Sequence, residues 1–323
     1  MLDETDRKIL HILDGNSRAS NTAIAKKTGI SKQLLKYRID RLVEKGVIEK
    51  FYTVVNSVKL GFTYFRIYLR LHGITSDEER ELVESFASNE YVTWAVKCRG
   101  QWDIVASIYA RDAEHFSTNL QDILGGFQGN ILKKKIVLIR NAISSTRNYL
   151  SKDEKSLVSG YGGTTEYVAI DDVDHGILLE LTKNSRVRVV DLAKKMDSAP
   201  ATIRSRLERM EKAGLIKAHK LFLDYSGIGV LFFIISITLS NASKASRFQL
   251  EKYCNAHPNV VYYVNLLGNH EIDLEVEVEK QGDIDDLLVG LKNRFPSIIR
   301  DMEIIQVTRQ YKRNHYPFRS KPA

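Results

Sequence analysis

The sequence predicts an α+β protein built as a tandem repeat, in which each half carries a winged helix-turn-helix unit followed by a ferredoxin-like βαββαβ unit. Three observations lead to this fold class. The chain is similar to itself after a shift of 168 residues. Each copy begins with a short helix, a tight turn and a second capped helix, and the rest of each copy alternates strands and helices.

The internal repeat is the strongest of these signals. Between positions 3 and 48, 15 of 46 residues are identical to those 168 positions later, without a gap. The triplet Asn16-Ser17-Arg18, for example, recurs as Asn184-Ser185-Arg186. The similarity continues more weakly to Gly100 and Gly268, after which an insertion of two residues pairs Asp103 with Asp273. We therefore expect two copies of one folding unit.

The repeat divides the chain into six expected segments. The stretch between the copies contains Ser-Gly-Tyr-Gly-Gly-Thr-Thr, which is typical of a flexible linker and lacks the Lys-Ser/Thr of a phosphate-binding loop. The expected segments are helix-turn-helix units at residues 1–58 and 169–226, ferredoxin-like effector and dimerisation units at 59–143 and 227–312, a linker at 144–168 and a C-terminal tail at 313–323.

Composition and charge predict a soluble protein of the reducing cytoplasm. Hydrophobic residues make up 43% of the chain, enough for buried cores, and the net charge of +8 is compatible with nucleic-acid binding. Cys98 and Cys254 stand far apart, without the spacing of a disulfide framework or a metal site. The acidic N-terminus is unlike a signal peptide, and the longest apolar run, residues 230–239, is too short to span a membrane.

The first unit of each copy is expected to contain three helices and the strands of a wing. In the first copy, Asp3 suits the N-cap of the first helix, and Gly29 suits a turn with left-handed backbone. Ser31 then caps the third helix, and the wing follows at residues 47–55. The buried stripe of the third helix consists of Leu35, Ile39 and Leu42.

The outward face of the third helix carries the candidate DNA contacts. Such a helix enters the major groove with its N-terminal side chains leading. Lysine and arginine neutralise phosphates, and Gln33 has the groups to read a base edge. A solvated surface helix would show the same charges, so both interpretations stay open for this helix alone. The candidates in the first copy are Ser31, Lys32, Gln33, Lys36, Tyr37, Arg38 and Arg41.

The third helix of the second copy keeps its charge but loses base-reading side chains. Asp197 replaces the turn glycine and Ala199 replaces the capping serine, so Ser198 or Asp197 is expected to cap instead, with Pro200 in the first turn. Small residues stand where the first copy has Ser31, Gln33 and Tyr37. The candidate phosphate contacts in this copy are Arg204, Arg206 and Arg209.

The second unit of the first copy reads as strand, helix, two strands, helix and strand. The strands are expected at residues 64–71, 92–98, 103–110 and 135–140. The first helix is expected to open with a capping box at Ser76 and to run through Phe86, and the second is expected at 113–124. The second copy repeats this order between residues 232 and 308. Such a sheet leaves one face uncovered, and its twin in the same chain is the expected partner.

The run Ile30-Ser31, Leu35, Arg38-Ile39, Arg41-Leu42 and Gly46-Val47-Ile48 resembles the helix-turn-helix signature of the Lrp/AsnC family of regulators, whose second unit is called a RAM domain. The turn from Gly100 to Asp103 is similar to that family's G-x-x-D element, and the ending of the chain is similar to archaeal tandem members. The resemblance implies double-stranded DNA as partner, and a small effector such as an amino acid near this turn. The effector-binding candidates are Gly100, Trp102, Asp103, Gly268 and Asp273.

Two other functions compete with a sequence-specific regulator. Sirohaem decarboxylases resemble this family and pair the same units, but the chain's histidines are scattered and no metal or nucleophile motif is present. An architectural protein that coats DNA would also suit the weaker second helix. We expect a regulator that is not an enzyme and has no cofactor, in which one chain does the work of a dimer on an asymmetric site. Further oligomerisation, the effector and the sign of regulation stay open.

Overall fold

The first repeat contains five helices and six strands in the computed structural model, which describes residues 2–151, 157–163, 166–225 and 227–322. Its helix-turn-helix unit is α1 (Glu4–Gly15), α2 (Asn21–Thr28), α3 (Lys32–Glu44) and β1 (Ile48–Val55). The ferredoxin-like unit is β2 (Thr63–Leu71), α4 (Ser76–Ser88), β3 (Val92–Arg99), β4 (Ile104–Ala110), α5 (Ala113–Leu124) and β5 (Ile131–Ser145), followed by β6 (Val158–Gly162).

The second repeat has the same order of elements. Its helix-turn-helix unit is α6 (Asp172–Lys183), α7 (Val189–Lys195), α8 (Pro200–Lys212) and β7 (Ile216–Leu223). Its ferredoxin-like unit is β8 (Leu231–Leu239), α9 (Lys244–Ala256), β9 (Val260–Leu267), β10 (Ile272–Val278), α10 (Gln281–Arg294) and β11 (Ile299–Arg313). The predicted α+β tandem repeat is thereby confirmed.

The shift of 168 residues holds without interruption, so the expected two-residue insertion is wrong. The strand β4 begins at Ile104 and β10 begins at Ile272, which is 168 positions later. The Leu71 amide donates to Asp103 Oδ2 at 2.7 Å, and the equivalent Leu239 amide donates to Glu271 Oε2 at 2.8 Å. The counterpart of Asp103 is therefore Glu271, and Asp273 lies inside the following strand.

Side-chain caps at the helix starts explain where most helices begin. Asp3 accepts from the Asp6 amide at 2.8 Å, and Ser31 Oγ accepts from the Leu34 amide at 3.1 Å, as predicted. The box that opens α4 starts one residue earlier than expected, because Thr75 is the N-cap and pairs with Glu78. The expected cap of α8 is also wrong, since Ala199 is the N-cap and makes no side-chain bond.

The turn before each third helix has left-handed backbone in both copies. Gly29 has φ of 69°, which costs glycine little because it lacks a Cβ atom. Asp197 adopts φ of 46° at the equivalent position, and aspartate is among the side chains that tolerate this region best. The loss of the glycine therefore preserves the turn but adds strain to the second copy.

The wing is a single strand in each repeat, where more than one strand was expected. The strand β1 pairs antiparallel with β7 of the other repeat, which makes a two-stranded ribbon. Leu221 and Leu223 of β7 pack into the core of the first helix-turn-helix unit beside Ile9. Tyr52 and Val54 of β1 pack in the same way into the core of the second helix-turn-helix unit. Each unit is thus completed by the other repeat.

The eight strands of the two ferredoxin-like units close into a barrel, with β6 added outside β5. The ring order is β2-β4-β3-β11-β8-β10-β9-β5, and β5 returns to β2. The closing strands β5 and β11 have 15 residues each, because one half pairs within its own repeat and the other half pairs with the other repeat. The two sheets therefore face each other as expected, while the helices α4, α5, α9 and α10 cover the outside.

The segment expected to be a flexible linker contributes the strand β6, which pairs with β5 from Asn141 to Ser145. Gly162 is required there, since a Cβ atom on it would lie 2.8 Å from the Arg140 carbonyl oxygen. Part of this segment, residues 152–156 and 164–165, lies outside the described residues. The C-terminal tail is also packed, with Tyr316 and Phe318 buried against the first repeat and α6.

Candidate nucleic-acid interface and effector turn

The outward face of α3 presents four of the predicted DNA contacts to solvent. Lys32 and Gln33 are exposed in the first turn, and the side chains of Lys36 and Tyr37 follow one turn later. Lys36 is 71% exposed although it pairs with Asp40, and Tyr37 is 61% exposed. Leu35, Ile39 and Leu42 face the core. The helix therefore offers polar and aromatic groups on the side that a DNA groove would meet.

Arg38 and Arg41 are turned toward the start of α1. Arg38 Nη1 lies 2.6 Å from Asp3 Oδ2 and 2.8 Å from Asp6 Oδ1, and Arg41 Nη2 lies 2.6 Å from Asp6 Oδ2. The Arg38 guanidinium and the capping bond to Asp6 hold the pKa of the Asp3 carboxyl below its ordinary value. These two arginines lock α3 onto α1, a role that the helix pattern alone did not indicate.

The same lock recurs in the second copy. Arg206 Nη1 lies 2.6 Å from Asp171 Oδ2 and 2.9 Å from Asp174 Oδ1, and Arg209 also pairs with Asp174. Arg204 is exposed and forms no ion pair within the part of the chain that the structure describes. The third helices are therefore fixed alike, but they differ in what they present to solvent.

A shallow groove of ≈ 820 Å³ lies beside α8, where the first copy has larger side chains. Ala201 and Ser205 line it at the positions equivalent to Gln33 and Tyr37. The second helix thus keeps a basic side chain in Arg204, but Ala201 and Ser205 stand where the first copy has a glutamine and a tyrosine. This is the asymmetry that the sequence predicted.

The two helix-turn-helix units contact each other through the repeated Asn-Ser-Arg turn. Ser17 Oγ lies 2.6 Å from Ser185 Oγ, and Arg186 Nη1 donates to the Ser17 carbonyl oxygen at 2.6 Å. Arg18 donates to the Ser185 carbonyl oxygen in return. This reciprocal contact and the ribbon of β1 and β7 fix the spacing of the two units. They also give a structural reason for the identity of these turns.

The predicted effector turn is shaped by its own side chains. Asp103 accepts from the Leu71 amide and from Arg70 Nη1 at 3.0 Å, which holds the turn between β3 and β4. Gly100 has φ of 124° and is exposed, while Trp102 is buried. The ammonium group of Lys135 lies 4.9 Å from the Trp102 ring. The indole of the turn thus lies beside an ammonium group from β5.

In the second copy, Gly268 and Asp273 serve the framework of the barrel. A Cβ atom on Gly268 would lie 2.6 Å from Val137 Cγ1, so this glycine allows β9 to pack closely on β5. The carboxylate of Asp273 is buried, 2.8 Å from Arg66 Nη1 and 2.9 Å from His270 Nε2. Burial would raise the pKa of Asp273, but His270 and Arg66 outweigh it and hold that pKa below its ordinary range.

A charged network fills the barrel interior, and sequence reasoning missed it. The strands β2 and β10 are not neighbours in the ring, so the ion pairs of Arg66 with Asp273 and Glu275 cross the interior. Glu275 also pairs with Arg313 at 2.8 Å. A usable signal existed, because Asp273, Glu275 and Glu277 alternate along a buried strand and so point to one face.

A second network joins the first helix-turn-helix unit to the barrel of the second repeat. The Arg147 guanidinium lies 2.7 Å from Asp14 Oδ1 of α1 and 2.7 Å from Glu277 Oε2 of β10. Tyr149 also donates to Glu277. At the position equivalent to Arg147 the second repeat has His315, which stacks on Tyr52. The two helix-turn-helix units are therefore anchored by different chemistry.

Comparison with known proteins places these features in a family. A protein-family model described as winged helix-turn-helix DNA-binding matches residues 2–49 and 170–217 of the chain. The HTH-type transcriptional regulator LrpA of Pyrococcus horikoshii is 34% identical over 131 residues, 40% of this chain and 90% of the relative. The regulator Ptr1 of Methanocaldococcus jannaschii is 34% identical over 114 residues, 35% of this chain and 76% of the relative. Each of these relatives corresponds in length to about one repeat.

Solved structures of one protein resemble the chain over its whole length. The crystal structure of the siroheme decarboxylase NirDL superposes with a TM-score of 0.62 over 99% of this chain and 96% of that chain, at 12% identity. At that identity the likeness concerns the fold, namely two repeats joined in one chain. Within the described ranges no helix has the length and apolar character to cross a membrane. From the sequence relatives, the chain belongs to the Lrp/AsnC family of transcriptional regulators.

Proposed function

We propose that the chain regulates transcription by binding double-stranded DNA through two unlike recognition helices held at a fixed spacing. The observation that supports this most is the reciprocal contact of Ser17 with Ser185 at the junction of the two helix-turn-helix units. It leaves the outer faces of α3 and α8 free while it fixes their separation. Family membership and the exposed groups of α3 agree with this role.

The two helices predict an asymmetric DNA site. Lys32, Gln33 and Tyr37 of α3 offer a phosphate contact, a base-edge contact and an aromatic contact. The exposed Lys36 offers a second phosphate contact. On α8 the exposed Arg204 supplies a phosphate contact beside Ala201 and Ser205. One half-site is therefore expected to be read by base contacts, and the other to be held mainly through its backbone. The remaining candidates, Ser31, Arg38, Arg41, Arg206 and Arg209, support the helices by capping and ion pairing.

Selection from a random DNA pool at two salt concentrations tests this proposal. We expect an asymmetric motif, and Gln33→Ala should relax the sequence preference of one half only. Lys32→Ala and Arg204→Ala should each flatten the salt dependence by about one phosphate contact. Lys252→Ala, which removes an exposed lysine from the barrel helix α9, serves as the matched control. No binding at low salt would exclude the proposal, and binding without a motif would favour an architectural protein.

We also propose that the chain is not an enzyme. The likeness to the siroheme decarboxylase concerns the fold, and the effector turn is built from residues that shape it. Incubation with sirohaem, followed by analysis of the tetrapyrrole products, tests this directly. Release of carboxyl groups in proportion to protein concentration would overturn the non-enzymatic role, whatever the DNA result.

A further inference from the structure

A pseudo-two-fold axis relates the two repeats and brings each residue of the first copy onto the residue 168 positions later. Equivalent positions need not carry like side chains, since Lys135 and its equivalent Glu303 form an ion pair at 3.2 Å. A surface of one repeat can therefore differ in shape and charge from the same surface of the other. One such difference lies beside the first helix-turn-helix unit.

A cleft of ≈ 660 Å³ lies between the first helix-turn-helix unit and the loop that follows β7 in the second repeat. We call it the junction cleft. Leu2, Val47 and Ile228 form its apolar floor, and all three are half-buried. Gly227 of the loop forms part of the opposite wall. The junction cleft thus exposes apolar surface from both repeats in one place.

Charged side chains form the rim of the junction cleft, and most of them already have partners. Arg7 pairs with Glu279 of the second repeat. Asp3 and Asp6 are held by the arginines of α3, as described above. Lys45 is exposed and forms no ion pair within the part of the chain that the structure describes. The rim therefore offers one uncommitted positive charge above an apolar floor.

In the second copy, a segment of the chain itself crosses the equivalent space. Ile170 and Lys59 are the equivalents of Leu2 and Gly227, which both line the junction cleft. The chain passes from Val168 to Ile170, and the Val168 amide donates to the Lys59 carbonyl oxygen at 2.8 Å. The segment therefore spans the two walls whose equivalents border the open cleft in the first copy.

This segment shows which chemistry the junction cleft is shaped to accept. Val168 and Ile170 are half-buried and Ala169 between them is exposed, an alternation that is typical of extended backbone. Two residues before Val168, Glu166 Oε2 lies 3.9 Å from Lys59 Nζ. The segment thus combines a backbone hydrogen bond, an apolar contact and an acidic side chain facing a lysine.

The lysine stands on a different wall in each copy. The second copy has Lys59 and Ala213, and the first copy has Gly227 and Lys45 at the equivalent positions. Lys59 Cε lies 3.5 Å from where a Cβ atom on Gly214 would stand, so its side chain crosses to the wall to which Lys45 belongs in the first copy. Each copy therefore keeps one lysine here, and the missing side chain of Gly227 leaves the first space open.

We propose that the junction cleft binds an extended peptide segment of a partner protein, with an apolar side chain on the floor and an acidic side chain, two residues earlier, toward Lys45. The peptide would donate one backbone N–H to the Gly227 carbonyl oxygen, which accepts no hydrogen bond from the described residues. Main-chain bonding with a pocket for one side chain is a common way to bind extended peptides. This inference goes beyond the proposed function, because it requires no DNA.

The junction cleft is also placed where DNA would leave it free. Lys45 follows the last residue of α3 and lies 12 positions after Gln33, which corresponds to about 18 Å along the helix. A recognition helix enters the groove with its N-terminal side chains, so its other end stays outside. A partner peptide is therefore expected to bind the free and the DNA-bound chain alike, with one site per chain.

Fluorescence anisotropy of a labelled peptide tests the inference on the full chain without DNA. The probe is Glu-Tyr-Val-Ala-Ile, which copies residues 166–170 and carries a dye at its N-terminus and an amide at its C-terminus. We expect saturable binding of one peptide per chain. Replacement of its valine by aspartate should weaken binding about tenfold or more, because the apolar contact is lost.

Two variants of the chain test whether the peptide binds in the junction cleft. Gly227→Lys installs the side chain that the second copy has at this position and should abolish binding. Lys45→Ala should weaken binding of the probe about twofold to fivefold, the range of an exposed ion pair, and should leave a probe with glutamine in place of glutamate unchanged. Lys212→Ala, at the exposed end of α8, is the matched control and should bind as the parent chain does.

Several outcomes would overturn the inference. They are the absence of saturable binding, two peptides per chain, and binding that neither Gly227→Lys nor Lys45→Ala weakens. Displacement of the probe by isovalerate at equal concentration would assign the junction cleft to small free acids. Lys45→Ala changes an exposed side chain and decides the matter should Gly227→Lys fail to fold. DNA binding is scored separately, so a negative result here leaves the proposed function as it stands.

Discussion

Ser17 and Ser185 are equivalent residues of the two repeats, and their side-chain oxygens lie 2.6 Å apart in a fully buried contact. A contact between equivalent atoms lies on the pseudo-two-fold axis, so the axis passes between the two helix-turn-helix units here. The Ser17 amide donates to the His219 carbonyl and the Ser185 amide donates to the Phe51 carbonyl. The pair therefore joins both units to both strands of the ribbon.

The effects of removing these two hydroxyls on the free energy of unfolding should not be additive. Ser17→Ala leaves the Ser185 hydroxyl buried without its partner, which costs about 1–3 kcal/mol. The double variant Ser17→Ala/Ser185→Ala removes both groups and should be less destabilised than the sum of the two single variants. Urea unfolding of all four proteins measures this coupling. Additive losses would show that the hydroxyls do not depend on each other.

The arginines of the third helices should affect folding more than DNA specificity. Arg38→Ala leaves the buried Asp6 with Arg41 alone, so the midpoint of thermal unfolding should fall. Arg206→Ala should do the same in the second copy, where Asp174 is buried. Lys32→Ala is the matched control and should lower DNA affinity without a change in the midpoint. An unchanged midpoint in Arg38→Ala would contradict the locking role.

His315 should make the protein less stable as the pH falls. Burial, helped by the positive charge of Arg313, lowers the pKa of His315 to about 3, against an ordinary value of 6.5. Between these values the unfolded chain binds a proton that the folded chain does not. The contribution of His315 to the free energy of unfolding is therefore fully present above pH 6.5. It declines toward pH 3 by up to about 1.4 kcal/mol per pH unit.

Two variants isolate the contribution of His315. Denaturant unfolding at several pH values should show a shallower decline in His315→Phe than in the parent chain. The exposed His72 provides a control, and His72→Phe should leave the pH dependence as it is. An equally steep decline in His315→Phe would assign the effect to other groups.

The charged barrel interior should depend on both partners of its central pair. Asp273→Asn leaves Arg66 buried with Glu275 as its remaining ionic partner, and breaking a buried pair typically costs about 3–5 kcal/mol. Arg66→Ile/Asp273→Val installs the residues that stand at the equivalent positions, Ile234 and Val105. This double variant should lose less stability than the sum of its two single variants, as measured by unfolding in urea.

The first and second repeats, as separate chains, should form a heterodimer in preference to homodimers. When they are expressed as separate chains divided between β6 and α6, Arg66 of a first-repeat homodimer would face Val105 and Ser107 in place of Asp273 and Glu275. We expect co-purification of the two halves as a one-to-one complex. Light scattering of each half alone and of the mixture distinguishes this from homodimers of comparable strength.

Much of the local structure could be predicted from the sequence. The caps at Asp3 and Ser31, the left-handed turn at Gly29 and the buried stripe of α3 depend on neighbours within a few residues, and all were predicted. The strands of the ferredoxin-like units were also found, although β5 and β11 are longer than expected. The second halves of these strands pair with the other repeat, and the local sequence pattern does not indicate that partner.

The long-range features of the candidate site could not be predicted in this way. Arg38 resembles any exposed arginine of a recognition helix, and only the fold shows that it faces Asp3. The pairing of Asp103 with Asp273 followed residue identity, whereas the backbone places Glu271 opposite Leu239. Contacts such as that of Arg66 with Asp273 join residues 207 positions apart, and nothing in either neighbourhood indicates the other.

Lys135 and Glu303 show what it means for one gene to encode both sides of an axis. In a dimer of identical chains, a residue beside the axis meets its own copy, so any charge placed there is repelled by itself. Here the two positions hold opposite charges 3.2 Å apart. A substitution in this chain changes only one of the two equivalent positions, so the new side chain does not have to pack against a copy of itself. Joining the two repeats in one chain therefore allows the residues nearest the axis to differ from each other.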